Sequence, residues 1–333
     1  MDDVKILAIE SSCDETGASV SVNNKILSNV ISTQIDIHKV YGGVVPEIAS
    51  RNHLINLPLV VDEAMAQAGV ELKELDCVAV TCGPGLIGAL ITGLSYAKAL
   101  AYSLNTKFMG VNHMQAHISA VFLAGAKPPF ICLVVSGGHT MVVKVKDYTE
   151  FEVMGSTRDD AAGEAFDKVA RVMGLSYPGG AKLDALAEDG NDEYLKLPLA
   201  MLKEDNYDFS FSGLKSAVLN FINSANMKNE EIDKASLCAS FRKCVCEILT
   251  EKTIKAAKNE GVNTVAVCGG VACNSLLRSE LKRKCAEHGL DFYVPDKILC
   301  SDNGAMVASA AYYKYIKGEF SPLELNADAS LSL

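Results

Sequence analysis

Apolar residues gather in short blocks at two places along the chain, and the two places carry the same succession. Residues 4–9 (VKILAI) are followed by a polar turn, 10–17 (ESSCDETG), and then by two further apolar stretches, 18–22 (ASVSV) and 26–31 (ILSNVI). Blocks of this length bounded by turn residues predict three strands joined by tight connections. The succession returns at 129–135 (PFICLVV), 136–140 (SGGHT), 141–145 (MVVKV) and 150–154 (EFEVM). Each half then supplies a buried strand, a glycine turn and a helix, at 77–101 and at 264–289. Duplication is the simplest account, and a strand meander followed by strand–helix units predicts two related α/β lobes with a ligand cleft between them. The turns at 10–17 and 136–140 are expected to face each other across that cleft. Residues 1–127 with 301–326 are expected to form one lobe and residues 128–300 the other.

Helical spacing fills the intervals. Pro46 suits a first helical turn, and Ile48, Leu54, Leu57 and Val61 fall on one side of a helix running to Gly69. Over 158–174, Ala162, Phe166, Val169, Ala170 and Met173 form an apolar face, with Asp159 and Asp160 at the start and Gly174 at the stop. Leu237, Phe241, Val245 and Ile248 line a stripe within 231–260 that Gly261 closes. Residues 77–97 carry no charge, yet Gly83, Pro84, Gly85, Gly88 and Gly93 interrupt them too often for a membrane span. A strand, a tight turn and a packed helix are predicted there instead.

Composition narrows the class. A chain of 333 residues with 49% hydrophobic content has ample material for buried cores. Its net charge of −10 repels nucleic acid unless basic residues gather on one face or a partner contributes. Arg278, Lys282, Arg283 and Lys284 form a local basic patch, or simply the solvated face of a helix over 274–288. Eleven cysteines, irregularly spaced and without a C-x-x-C pair, fit free thiols in a reducing cytoplasm. The start, MDDVKILAIESS, lacks the basic segment and long apolar core of a secretory signal.

Several short motifs could carry chemistry, and each has a plainer reading. SGGH at 136–139 offers bare amides and the Ser136 hydroxyl to an anion, or is a hairpin turn. In CGGVACN, Asn274 caps a helix whose positive end suits phosphate or ribose, or is a cap and nothing more. Asp167 is a functional carboxylate or the partner of Arg171 one turn on, and Asp184 follows the sharp turn YPGG. His113 and His117 share a helix face and can grip one metal ion or simply pack. Met114 occupies the place of the glutamate in H-E-x-x-H, so a zinc protease of that kind lacks its base. Asp302, before a small-residue helix start, is the leading third ligand. Two imidazoles and a carboxylate with open positions suit Fe(II) or Zn(II).

Taken in order, AIESSCDETGASV (8–20), GGVVPEIASRNH (42–53), the histidine pair, LVVSGGHT (133–140), DDAAGEAFDKVA (159–170), YPGG (177–180), FSFSGLK (209–215), CGGVACNSLLR (268–278) and SDNGAM (301–306) resemble the family of tRNA threonylcarbamoyladenosine transferases, in its bacterial form without a fused kinase domain. The resemblance covers almost the whole chain. It implies an actin-like, Hsp70-like ATPase fold (ASKHA) of two duplicated RNase H-like lobes. It implies transfer of a threonylcarbamoyl group from threonylcarbamoyl-AMP to N6 of adenosine 37 in the anticodon loop of tRNAs reading codons that begin with A. By the same resemblance His113, His117 and Asp302 would bind one divalent metal ion, often iron. Val134, Val135, Ser136, Gly137 and Gly138 would contact the adenylate, with Asp167, Gly180, Asp184 and Asn274 around its nucleoside. A smaller inactive paralogue and a P-loop ATPase are the implied partners, and a separate synthase would supply the adenylate. An ATPase or kinase of the same fold without transfer chemistry, and a metalloprotease, are the rival classes.

Overall fold

A computed structural model describes residues 3–333, and the chain divides into two compact units. One comprises the chain up to Gly125 together with Tyr148–Glu150 and Pro295–Leu333; the other comprises Ala126–Asp147 and Phe151–Val294.

In the first unit β1 (Lys5–Glu10), β2 (Glu15–Val22) and β3 (Lys25–Thr33) form an antiparallel meander. Residues 15–17 pair with 31–33, so the polar turn predicted over 10–17 contracts to Ser11–Asp14. The chain passes through a single turn, α1 (Ile35–His38), into the long α2 (Pro46–Ala68). Then β4 (Cys77–Gly83), α3 (Ile87–Leu104), β5 (Lys107–Asn112) and α4 (His113–Leu123) complete the order β3-β2-β1-β4-β5, with β4 and β5 parallel to β1.

The period-two geometry of β1 sets both faces of this sheet. Leu7 and Ile9 join Val78 and Val80 under α2 and α3, while Ile6 and Ala8 join Ala79 and Met109 against α4. Burial on both faces explains why the strand reads as a continuous apolar block. By length and composition α3 could cross a bilayer, and its Leu94, Ala97 and Ala101 pack into this core.

The predicted face of α2 needs correction. Its buried stripe is Ala49, His53, Leu57, Val60, Val61 and Ala64, whereas Leu54 is 66% exposed, as are its neighbours Ile55 and Leu59 to similar degrees. With Met65, which is also buried, the stripe has seven members, three of them alanine or histidine, so a count of large apolar residues misplaces it.

The second unit repeats the plan. β6 (Phe130–Val135), β7 (Thr140–Asp147) and β8 (Glu150–Ser156) form its meander. The helices α5 (Ala162–Val172), α6 (Gly179–Ala187), α7 (Ser212–Lys228), α8 (Lys234–Asn259) and α9 (Ser275–Glu287) surround the later strands β9 (Thr264–Cys268) and β10 (Asp291–Tyr293) in sequence. Read as β8-β7-β6-β9-β10, its strand order matches that of the first sheet, with β6 antiparallel to β7 and parallel to β9. Asp159 does not serve the start of α5. It accepts from Phe211 N at 2.7 Å and from Ser212 N at 3.3 Å, and so caps α7. After β10 the chain returns to the first unit through α10 (Lys297–Cys300) and α11 (Gly304–Ile316).

Candidate metal and nucleotide sites

Three elements of the first unit bring His113, His117 and Asp302 together. Asn112 ends β5 and caps α4, its Oδ1 accepting from Met114 N at 2.8 Å and Gln115 N at 3.2 Å, which fixes His113 as the first helical residue. His117 follows one turn later on the same face. Asp302 precedes α11, which Asn303 caps through Met306 N at 3.0 Å. α11 reaches its place because two glycines let backbones meet: a Cβ on Gly304 would lie 2.5 Å from Ala18 C, and one on Gly17 would lie 2.9 Å from Gly304 N.

The ligand atoms of the trio all lie within 4.8 Å of one another. Asp302 Oδ1 is 3.1 Å from His117 Nε2 and 3.6 Å from His113 Nε2. His117 is buried, and neither of its ring nitrogens makes a hydrogen bond, so the 3.1 Å approach is not along an N–H direction. A buried imidazole beside a carboxylate, with no hydrogen bond among the described residues, is costly in a protein interior, and a shared cation removes the cost.

His113 is held from behind. Its Nδ1 lies 3.2 Å from Glu10 Oε2 and 3.2 Å from Ser12 Oγ, leaving Nε2 directed at the trio. Glu10 is fully buried and accepts from Ser12 N and Thr81 Oγ1, each at 2.6 Å. Burial lowers the His113 pKa, but the Asp302 and Glu10 carboxylates outweigh it and raise it to about 9. The pocket therefore demands positive charge, and a cluster of two imidazoles and a carboxylate is compatible with a divalent ion.

The remaining predicted residues all fall in the second unit, along one connected path. Val134 and Val135 are wholly buried, main chain included, and pair with Met141 and Thr140 of β7, so neither presents surface to a ligand and they serve to place the turn that follows. Ser136 N–H donates to His139 O at 2.8 Å and His139 N–H to Ser136 Oγ at 3.1 Å, closing the hairpin between β6 and β7. Gly137 and Gly138 are exposed at its tip, neither has a left-handed φ, and a Cβ on either would meet nothing within 4 Å. The hairpin needs neither glycine for shape or room. What they provide is access to the amides of the turn.

Under that turn, Gly163 N–H donates to Ser136 O at 3.2 Å. One turn along α5, Asp167 Oδ1 accepts from Gly180 N at 2.9 Å at the start of α6. Burial raises the Asp167 pKa against the opposing pull of the Gly180 and Gly179 amides and of Arg171. Further along α6, Asp184 Oδ1 accepts from Asn274 Nδ2 at 2.8 Å and Oδ2 from Ser275 N at 3.1 Å. Asn274 Oδ1 accepts from Leu277 N at 2.9 Å as the α9 cap. The positive end of α9 is thus already occupied by the Asp184 carboxylate, which disfavours phosphate there.

A family model described as TsaD, tRNA N6-adenosine threonylcarbamoyltransferase, matches residues 25–309. The chain belongs to this family. A Clostridium perfringens (strain SM101 / Type A) relative bearing the same description is 57% identical over 331 residues, 98% of each chain. Among solved structures, full-length HypF in a phosphate- and nucleotide-bound form aligns with a TM-score of 0.64 at 17% identity, over 96% of this chain and 47% of that one; this chain thus spans about half the length of HypF. Component A of the Acidaminococcus fermentans (R)-2-hydroxyglutaryl-CoA dehydratase aligns with a TM-score of 0.56 at 15% identity, over 94% of this chain and 99% of that one. These likenesses establish the fold, an actin-like and Hsp70-like α/β ATPase fold with a duplicated sheet plan. Within the transferase family frame, two groups escaped the sequence reading. Glu10 could have been noticed as a charge ending an otherwise apolar strand. Arg242, which reaches Asp184, lies inside the amphipathic stripe of α8 and gave no local signal.

Proposed function

We propose that this chain transfers the threonylcarbamoyl group of threonylcarbamoyl-AMP to N6 of adenosine 37 in tRNAs reading codons that begin with A, releasing AMP. The observation that carries the proposal is 57% identity along 98% of a relative described by that activity. Adenine N6 is a weak nucleophile, while the carbamoyl–phosphate anhydride is already activated and AMP is a good leaving group. Orientation and charge stabilisation therefore suffice, and no side-chain nucleophile is assigned. The exposed main-chain amides of Gly137 and Gly138, at the end of the Val134–Val135–Ser136 segment, take the phosphate, and Asp184, braced by Asn274, accepts from ribose hydroxyls. Asp167 holds Gly180 and with it the start of α6. His113, His117 and Asp302 would hold Fe(II) or Zn(II), which when bound supplies a Lewis acid for a carbonyl or phosphoryl oxygen. Glu10 keeps His113 Nε2 facing that ion.

The target adenosine sits in a single-stranded loop, so it can be presented without opening a duplex. A smaller inactive paralogue and a P-loop ATPase act with the chain, a synthase supplies the adenylate, and eleven free cysteines fit a reducing cytoplasm. A protease reading lacks a base, because buried Met114 stands between the histidines.

The test is reconstitution with bicarbonate, threonine, ATP, the synthase, the partners and unmodified tRNA, followed by mass spectrometry of nucleosides. Threonylcarbamoyladenosine is the expected product; its absence, or ATP hydrolysis alone, overturns the proposal. His113→Ala, His117→Ala and Asp302→Ala should each lose bound metal by elemental analysis and lower transfer at least about a hundredfold with the fold retained.

A further inference from the structure

We propose that Arg242 is a positioning residue for the nucleoside, acting through Asp184; the inference rests on the reading of Asp184 given above. Arg242 comes from α8 and is 8% exposed. Its Nη1 donates to Asp184 Oδ1 at 2.9 Å, to Glu188 Oε1 at 2.6 Å, to the Asp184 carbonyl at 3.0 Å and to Ser275 Oγ at 3.3 Å. Nη2 donates to the Ala187 carbonyl at 3.2 Å. The guanidinium therefore grips the last turn of α6, where a cation is favoured by the exposed carbonyls, and pins one carboxylate oxygen at the same time.

Stability alone is a poor reason for this side chain. Its Nε is buried without a hydrogen bond, and an apolar residue of similar volume would continue the buried face of α8 without desolvating a charge. What the arginine does accomplish is an asymmetry in Asp184. Oδ1 accepts from Arg242 and from Asn274 Nδ2, whereas among the described residues Oδ2 accepts from Ser275 N alone; the Ser275 hydroxyl gives its one proton to Glu188 Oε1 at 2.6 Å. The Asp184 side chain retains 19% exposure, so Oδ2 keeps an unfilled lone pair at the surface. Asp184 and Glu188 face a single guanidinium, so the corner carries net negative charge and repels phosphate. Its complement is a neutral hydroxyl donor, such as a ribose hydroxyl. Without Arg242 the carboxylate loses its one cationic partner and is left beside Glu188 uncompensated, held only by Asn274 and Ser275.

The experiment measures binding of AMP, 2′-deoxy-AMP and 3′-deoxy-AMP to the full chain by calorimetry, with transfer to tRNA assayed in parallel. Wild-type protein should prefer AMP over at least one deoxy analogue by about tenfold or more. Arg242→Gln should weaken AMP by a similar factor and reduce that preference to less than about threefold, and Arg242→Lys should recover part of both. Asp184→Asn combined with Arg242→Gln should bind no more weakly than Asp184→Asn alone, because the two act in series. A folded Arg242→Gln protein that keeps both AMP affinity and the ribose preference overturns the inference, as does an additive double variant. Should Arg242→Gln fail to fold, Arg242→Lys decides: a partial loss of the ribose preference supports the inference, and wild-type binding overturns it. Wild-type protein that modifies tRNA but ignores the ribose hydroxyls sinks this inference alone. Wild-type protein that neither binds AMP nor modifies tRNA sinks the functional reading first.

Discussion

Gly137 and Gly138 stand in open space with no left-handed φ, so a methyl group at either should cost the fold nothing. Gly163 is the opposite case, since a Cβ there would lie 2.5 Å from Ser136 O and 2.8 Å from Gly137 Cα. The contrast separates ligand access from packing. Gly137→Ala and Gly138→Ala should leave stability unchanged or raise it by up to about 1 kcal/mol, while transfer and AMP affinity fall at least about tenfold by obstruction of the amides. Gly163→Ala should lose about 1–3 kcal/mol because backbone has to move. Thermal denaturation beside AMP titration reads both quantities. If Gly137→Ala and Gly138→Ala bind AMP as wild type does, the turn is a hairpin and nothing more. At this scale the sequence was informative wherever one residue type has few uses, as with a histidine pair at helical spacing. It marked Glu10 only as a charge ending an apolar strand and gave no hint of its partner, because the contact with His113 spans 103 residues and exists only once α4 packs beside β1.

Elements are where local pattern and tertiary context part company. The central strands of each sheet are covered on both faces, and that requirement is visible in the sequence as the hydrophobic runs at 6–9, 77–80 and 130–135. The face of α2 was not visible, because His53 belongs to its buried stripe. That histidine links the helix to the turn after β1 and to the start of β2: Nε2 is 2.9 Å from the Cys13 carbonyl and Nδ1 lies 2.8 Å from Thr16 Oγ1. Burial lowers its pKa below the usual 6.5, outweighing the Cys13 hydrogen bond and the nearby Glu10 and Asp14 charges. The unfolded chain therefore binds more protons than the folded one between that lowered value and 6.5, so stability rises with pH in this window and is lost as pH falls through it. Above 6.5 the contribution is flat. In urea titrations between about pH 5 and pH 7.5, the wild type should become less stable toward the acid end relative to His53→Gln, by an amount approaching one proton's linkage. A wild-type minus variant difference that does not change with pH would remove His53 as the cause.

For the whole molecule, a net charge of −10 has to be reconciled with a polyanionic substrate. The basic stretch on α9 does not resolve the conflict. Arg283 is paired with Glu280 at 2.7 Å and with Glu287, and Lys284 with Glu251 at 2.6 Å, while Arg278 Nε donates to the Ala272 carbonyl at 2.5 Å. Cations already neutralised by neighbouring acids release few counterions when a phosphate approaches, so they contribute little to affinity or to its salt dependence. Arg283→Ala and Lys284→Ala should each change tRNA affinity by less than about twofold and leave the slope of log K against log salt unaltered. If α9 were the docking face, each substitution would instead flatten the slope by about one unit. The chain alone is accordingly expected to bind tRNA weakly. Adding the proposed partners, a paralogue and a P-loop ATPase, should both tighten binding and steepen the salt slope if the missing cations lie on them. Filter binding across a salt series with and without them distinguishes the cases, and a slope that is already steep for the isolated chain would place the basic surface on this protein after all.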